Sequence, residues 1–219
     1  MVDDMSSSPG PRSVKISDDE RGGWSSERPR RPGEPERPPR PVDVSVRGRV
    51  LARSDRLRYT PGSLLLIACP DHAARDRFCA RVLEERGVLL SRGALRTLLE
   101  GRVAPEELDA KAAALLDATA AKRLAGGQSV VVALEGLDPA EREHYVRMAA
   151  PHRRPRHLIL AEPARDAVAD EDREVLAALR TALDQGQLGA EGFMTSLRLS
   201  GRAIDEVKKI IFAPPPADD

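Results

Sequence analysis

The chain has 219 residues, with 35 Lys or Arg against 35 Asp or Glu, so its formal charge cancels. That balance excludes a nucleic-acid binder that works through bulk charge, although not a local basic patch. No run approaches the ~18 apolar residues of a membrane span, the N-terminus shows no apolar signal-peptide core, and two cysteines make no disulfide framework; a cytoplasmic protein without a membrane partner is expected.

Residues 1–41 hold eight of the 18 prolines and almost no aliphatic side chains. Such a segment buries too little apolar surface to offset its ordering entropy, so a disordered Pro/Arg-rich N-terminal tail is expected. Within it, Arg28 to Arg40 (RPRRPGEPERPPR) reads as a solvated linker or as a docking tail for RNA or an acidic partner. Trp24, the only tryptophan, is either incidental there or a binding anchor. The folded domain is expected over 42–212, followed by a short disordered acidic tail at 213–219.

Within 42–212, Val42 to Leu51 alternates and predicts an edge strand or hairpin. Ser63 to Ala68 (SLLLIA) is a continuous apolar run, as a buried parallel strand requires. Asp71 to Arg86 predicts a helix with Phe78, Val82 and Leu83 on one face. A short strand at Val88 to Leu90 and a short helix at Ala94 to Leu99 follow. Pro105 to Leu124 is an Ala/Leu helix stopped by Gly126-Gly127. Ser129 to Leu134 (SVVVAL) is a second buried strand. Pro139 to Ala150 is a helix with Asp138 as N-cap and Pro139 at its first position. His157 to Ala161 is a third buried strand, Glu171 to Asp184 a helix, and Phe193 to Leu199 a last strand before a helix through Val207. Strands alternating with helices predict an α/β fold, a parallel sheet covered by helices on both faces.

In such folds ligands sit at the carboxyl ends of strands, often at the first strand–loop–helix turn. Here that turn is Cys69-Pro70-Asp71-His72-Ala73-Ala74-Arg75-Asp76. A phosphate-binding loop would read GxxxxGK[ST] in this place, with glycines for backbone approach, Lys for charge and a hydroxyl for Mg²⁺. Every required residue differs: Cys69 and Ala74 replace the glycines, Arg75 the Lys, and Asp76 the hydroxyl.

Order and spacing nonetheless resemble the P-loop kinases of the polynucleotide-kinase-like (AAA-type ATPase) family. Strand LLLIA precedes the loop, and a helix with Phe78, Ala80 and Arg81 follows, like that family's "FARR" helix. LLSRGALRTLL (Leu89 to Leu99) resembles "VLSSDALRALL", and LLDATAAKRLAGG (Leu115 to Gly127) resembles "LLDAIVAARLAAG". QSVVVALEGLDPAEREHYVRMA resembles "LTVVDATNLDPEARAALLALA". The likeness covers about 60–162. Of the family's Arg-bearing lid only a short segment, Arg165 to Arg173, is present.

The resemblance implies a P-loop NTPase-like fold and assigns roles by position. The family's general base falls at Gly93, which has no side chain to accept a proton. The Arg that contacts substrate phosphate is kept as Arg96, and the Arg of the following helix as Arg142; both are expected to bind substrate or another anion. The Asp and Asn of "VVDATN" fall at Ala133 and Gly136. The expectation is a pseudokinase, a degenerate P-loop fold without phosphotransfer, with no catalytic residue, acting as a binding or regulatory module for RNA, a phosphate-bearing ligand or a protein. The alternative is an ATP-binding kinase or ATPase that uses Arg75, with Mg²⁺ on Asp76 or Glu135. Asp71 has an ordinary use as helix N-cap in place of phosphate.

Other chemistry is thin. Cys69, His72 and Cys79 lack a fourth metal ligand, so no metal site is expected. Cys69 at a helix N-terminus stands where a thiol pKa is lowered, and Cys79 reads as a core residue. His144 reads as a surface residue. The run His152 to His157 (HRRPRH) reads as a solvated basic loop before a strand or, joined by Arg96 and Arg142, as part of an anion-binding face.

Overall fold

The computed structural model describes residues 48–52, 54–162 and 168–214. Residues 1–47, with the expected N-terminal tail and Trp24, residues 163–167, with the start of the lid segment, and residues 215–219 of the expected C-terminal tail lie outside the described residues, whereas Ala213 is held by its N–H on the Tyr59 carbonyl.

Six strands form in chain order where the sequence predicts them, the first at the sheet's edge: β1 (Arg49–Val50), β3 (Leu64–Ala68), β4 (Leu89–Ser91), β5 (Val130–Ala133), β6 (Arg156–Glu162) and β7 (Thr195–Ser200). They make one sheet in the order β1-β7-β6-β3-β5-β4, and every pairing in it is parallel. Leu64 pairs with Val130 on one side and Arg156 on the other, so β3 is central. The chain first builds outward from β3 to β4, returns to β5, then crosses to β6 and β7. The order therefore reverses at β3, the position at which open α/β sheets form their crevice.

Strands β3, β5 and β6 are buried along their whole length. Helices cover both faces, so both sets of side chains must be apolar, which is why the runs are continuous rather than alternating. Leu64, Leu66, Val130, Val132, Leu158 and Leu160 pack against helices α3 (Leu108–Ala125), α4 (Pro139–Ala149) and α5 (Asp172–Asp184). The intervening Leu65, Ile67, Val131, Ile159 and Leu197 pack against α1 (His72–Val82) and α6 (Arg202–Glu206). Each fully buried aliphatic side chain contributes about 1.5–3 kcal/mol. Helix α3 presents Ala112, Leu116, Ala120 and Leu124 at a four-residue spacing, and α5 presents Leu176, Leu179 and Leu183. Both patterns follow from the helical period.

Several boundaries differ from the sequence expectation. Helix α1 stops at Val82, because Leu83 turns into extended backbone (φ −90°, ψ 113°). A 3₁₀ turn at Arg86–Val88 then feeds β4, one residue later than expected. Pro105–Glu107 is likewise a 3₁₀ turn before α3. Helix α2 (Arg92–Leu99) is capped by Ser91, whose side chain accepts from the Ala94 N–H.

A feature absent from the sequence reading is a second sheet of two parallel strands, β2 (Arg56–Tyr59) and β8 (Lys209–Phe212). Its Leu57, Tyr59 and Ile210 cover the α1 face of the main sheet. Among the described residues no helix is long and apolar enough to cross a membrane.

Candidate functional site

The turn after β3 is short. The strand ends at Ala68 and α1 begins at His72, leaving only Cys69, Pro70 and Asp71 between them. The helix thus starts inside the stretch where a phosphate-binding loop would still be wrapping its ligand. Asp71 adopts extended geometry and its carboxylate accepts from the Ala74 N–H at 3.0 Å. Its carbonyl accepts from the Arg75 N–H at 2.9 Å and from the Cys69 thiol at 3.1 Å. The backbone donors a helix N-terminus would offer to an anion are met by the loop's own acid.

Arg75, aligned with the phosphate-binding Lys, is only 2% exposed. Its Nε donates to Asp76 at 2.9 Å, and one terminal nitrogen donates to the Leu134 carbonyl and to Glu135 at 3.2 Å. Burial works against its charge; Asp76 and then Glu135 more than offset that and raise its pKa. His72 adds a contact from Nε2 to the Glu135 carbonyl at 2.5 Å. Together these side chains tie α1 to the end of β5. Burial also pushes the Cys69 thiol up to about 11, against the lowering expected at a helix N-terminus. Cys79, likewise buried, is pushed up to about 12.

The end of β5 repeats the pattern. The successive N–H groups of Glu135 and Gly136 point at the Glu141 carboxylate at 3.1–3.3 Å. Burial raises the Glu141 pKa, and those two N–H groups pull it back. Two backbone donor clusters at the carboxyl edge of the sheet are therefore each filled by a carboxylate of the same chain.

The remaining expected residues are dispersed. Arg142 is 3% exposed and bound bidentately to Glu191 at 3.0 Å, with its other terminal nitrogen on the Leu137 carbonyl at 2.6 Å. Arg96 is exposed and pairs with Asp109 at 3.1 Å. The HRRPRH run leads into β6, whose first two residues it supplies, at the opposite edge of the parallel sheet from the loop after β3, and its Arg156 is buried with Nε on the Gly192 carbonyl. The run and the two arginines Arg96 and Arg142 thus lie at opposite edges of the sheet, and the structure does not bring them onto one face. Added Cβ atoms at Gly93 and Gly136 would meet nothing within 4 Å, so packing does not forbid side chains at either position. Among the described residues no group of His, Cys, Asp or Glu is arranged to hold a metal ion.

What the structure does bring together at this edge is a cavity of about 250 Å³ between α2, α3 and α4, lined by Arg92, Asp117, Glu135, Glu141, His144 and Tyr145 among others. His144 Nε2 lies 3.1 Å from Asp117. Burial, then Asp117, raises the Tyr145 pKa. The Nε of Arg92 is buried without a hydrogen-bond partner among the described residues. The sequence reading missed Arg92, Asp117, Glu141 and Tyr145. The available signal was their position: Asp117 and Tyr145 lie beside apolar positions of two helices that flank the end of β5.

No protein-family model matches the chain, and no curated protein matches it. Among solved structures it is similar to a "putative kinase" from Chloroflexus aurantiacus J-10-fl, at 18% identity and a TM-score of 0.38, over 67% of this chain and 88% of that one. A likeness this distant carries no argument about what this chain does.

Proposed function

We propose that this chain is a P-loop-kinase-like α/β domain that does not transfer phosphate and acts as a binding or regulatory module. The observation that carries the reading is the self-filled turn after β3: Asp71 occupies the N-terminus of α1, where a phosphate would sit. A carboxylate ~4 Å from a phosphate charge opposes it by about 4 kcal/mol at an effective dielectric of ~20. The helix end supplies at most about 2 kcal/mol in return. The single cation of the loop is buried in ion pairs with Asp76 and Glu135. The positions aligned with the family's base and strand-end residues, Gly93, Ala133 and Gly136, carry no chemistry although two of them have room for it. The competing reading, an ATP-dependent kinase or ATPase using Arg75 and Mg²⁺, requires Arg75 to leave the Leu134 carbonyl and both carboxylates. Arg96 and Arg142 belong to this proposal as residues paired within the chain rather than substrate contacts, Arg96 with Asp109 at the surface and Arg142 with Glu191.

The test is γ-phosphate transfer and ATP hydrolysis with Mg²⁺, beside backbone amide spectra of residues 69–76. Rates no higher than those of an Arg75→Ala variant, with the loop amides unmoved by Mg·ATP, are expected. Transfer well above that variant, or saturable movement of the loop amides, refutes the reading.

A further inference from the structure

The cavity of about 250 Å³ between α2, α3 and α4 shares only Glu135 with the side chains that tie α1 to the end of β5. Helix α3 gives it an apolar wall, Ala113 and Leu116. Its polar wall is Arg92 at the start of α2, Asp117 of α3, Glu135 after β5, and Glu141, His144 and Tyr145 of α4.

Charge in the polar wall is unequal: three carboxylates stand against one guanidinium. Glu135 gives Oε1 to Arg75 at 3.2 Å, while its Oε2 accepts from no described residue. Asp117 meets His144 Nε2 at 3.1 Å through Oδ2. Two ionisable groups in the wall report the same field. Burial raises the pKa of Glu141 and of Tyr145; among neighbouring side chains, carboxylates raise both further and only Arg92 lowers them. A site of this sign favours a cation. Among the described residues no set of acids is arranged for a metal ion, so the cation that fits is organic.

The guanidinium adds a second requirement. Arg92 Nε is buried and has no hydrogen-bond partner among the described residues. A buried donor left without an acceptor is costly, and an oxygen entering the cavity would supply one.

We propose that this cavity binds a small primary amine that carries an oxygen acceptor, an amino alcohol or an amino acid. The ammonium group meets Asp117 and Glu135, the oxygen accepts from Arg92, and the carbon body lies on Ala113 and Leu116. The proposal stands whether or not the chain transfers phosphate, and its test reads α2, α3 and α4 rather than residues 69–76.

The test is titration of the isotope-labelled full chain at pH 7, read by backbone amide shifts. The probes are ethanolamine and β-alanine, beside ethylamine, which lacks the oxygen, and propionate, which lacks the amine. Saturable movement of the Arg92, Asp117, Glu135 and His144 amides is expected at millimolar ethanolamine or β-alanine, with clearly weaker binding of ethylamine and none of propionate. A response to ethanolamine alone identifies a hydroxyl as the acceptor, to β-alanine alone a carboxylate, and to both either oxygen. Asp117→Asn weakens binding about tenfold, the loss of one charge-assisted contact. Arg92→Met reduces ethanolamine and β-alanine to the affinity of ethylamine. Melting temperatures near that of the unaltered chain verify that the variants are folded; where one is not, the four probes on the unaltered chain decide. No saturable shift, an equal response to ethylamine or propionate, or unchanged affinity in either folded variant overturns the proposal.

Discussion

At the scale of single residues, side chains that the sequence marks as ligand-binding candidates hold the domain together. Arg75 is the leading case. Its removal leaves the Leu134 carbonyl and the Glu135 carboxylate without their buried donor, and breaking a buried charged contact of this kind costs about 3 kcal/mol. Arg75→Ala should lower stability by about that amount in urea denaturation, and Arg75→Lys should recover only part, since an ammonium cannot reach Asp76, Leu134 and Glu135 together. Asp71→Ala should cost about 1 kcal/mol through the lost cap. His157 makes a different prediction. It is buried between Thr195 at 2.7 Å and Ser63 at 3.3 Å, under the Tyr59 ring, and burial with Arg156 beside it lowers its pKa from 6.5 to about 4. The folded state therefore disfavours the proton that the unfolded chain takes up. This contribution to stability is fully present above pH ~6.5 and is lost as pH falls toward ~4, by up to about 3 kcal/mol. Urea midpoints at pH 7 and pH 4.5 should differ more for the unaltered chain than for His157→Gln.

At the scale of elements, the glycines separate by what surrounds them. Gly62 has φ +79° and an added Cβ would lie 2.9 Å from the Gly127 carbonyl oxygen. Gly62→Ala should therefore destabilise by more than about 1 kcal/mol. Gly93 lies inside α2 with open space around it. Gly93→Ala should stabilise by about 0.5–1 kcal/mol. Thermal midpoints moving in opposite directions would verify the pair. The same contrast explains what the sequence made legible. The three buried strands were readable because burial on both faces leaves an unbroken apolar run. The cap at Asp71 was readable because Asp before a helix has one common use. The burial of Arg75 and Arg142 was not, because Arg is this chain's usual surface residue and only the distant Glu135 and Glu191 mark these two as interior. Strand β2 was missed because RLRY is four residues with two charges, and its partner stands more than 150 positions away.

At the scale of the whole molecule, both layers of the described domain close within residues 48–214. Deleting 1–41 should leave its melting temperature unchanged; a clear fall would show that the Pro/Arg-rich segment contributes to the fold. If that segment instead carries a docking function, the deletion should remove partner capture while the melting curve stays in place.

The pairing of β1 with β7 and of β2 with β8 has a consequence for how the domain comes to exist. Nearly the first strands made are held by nearly the last, so these contacts span most of the domain and cannot form during early synthesis. Loop closure over such separations slows folding. A nascent chain that has not yet released Lys209–Phe212 leaves the Leu57–Tyr59 side of the core uncovered. Completion of the fold thereby waits for β8, and a chain ending at Val207 should refold to a state that exposes this apolar layer and binds a hydrophobic dye.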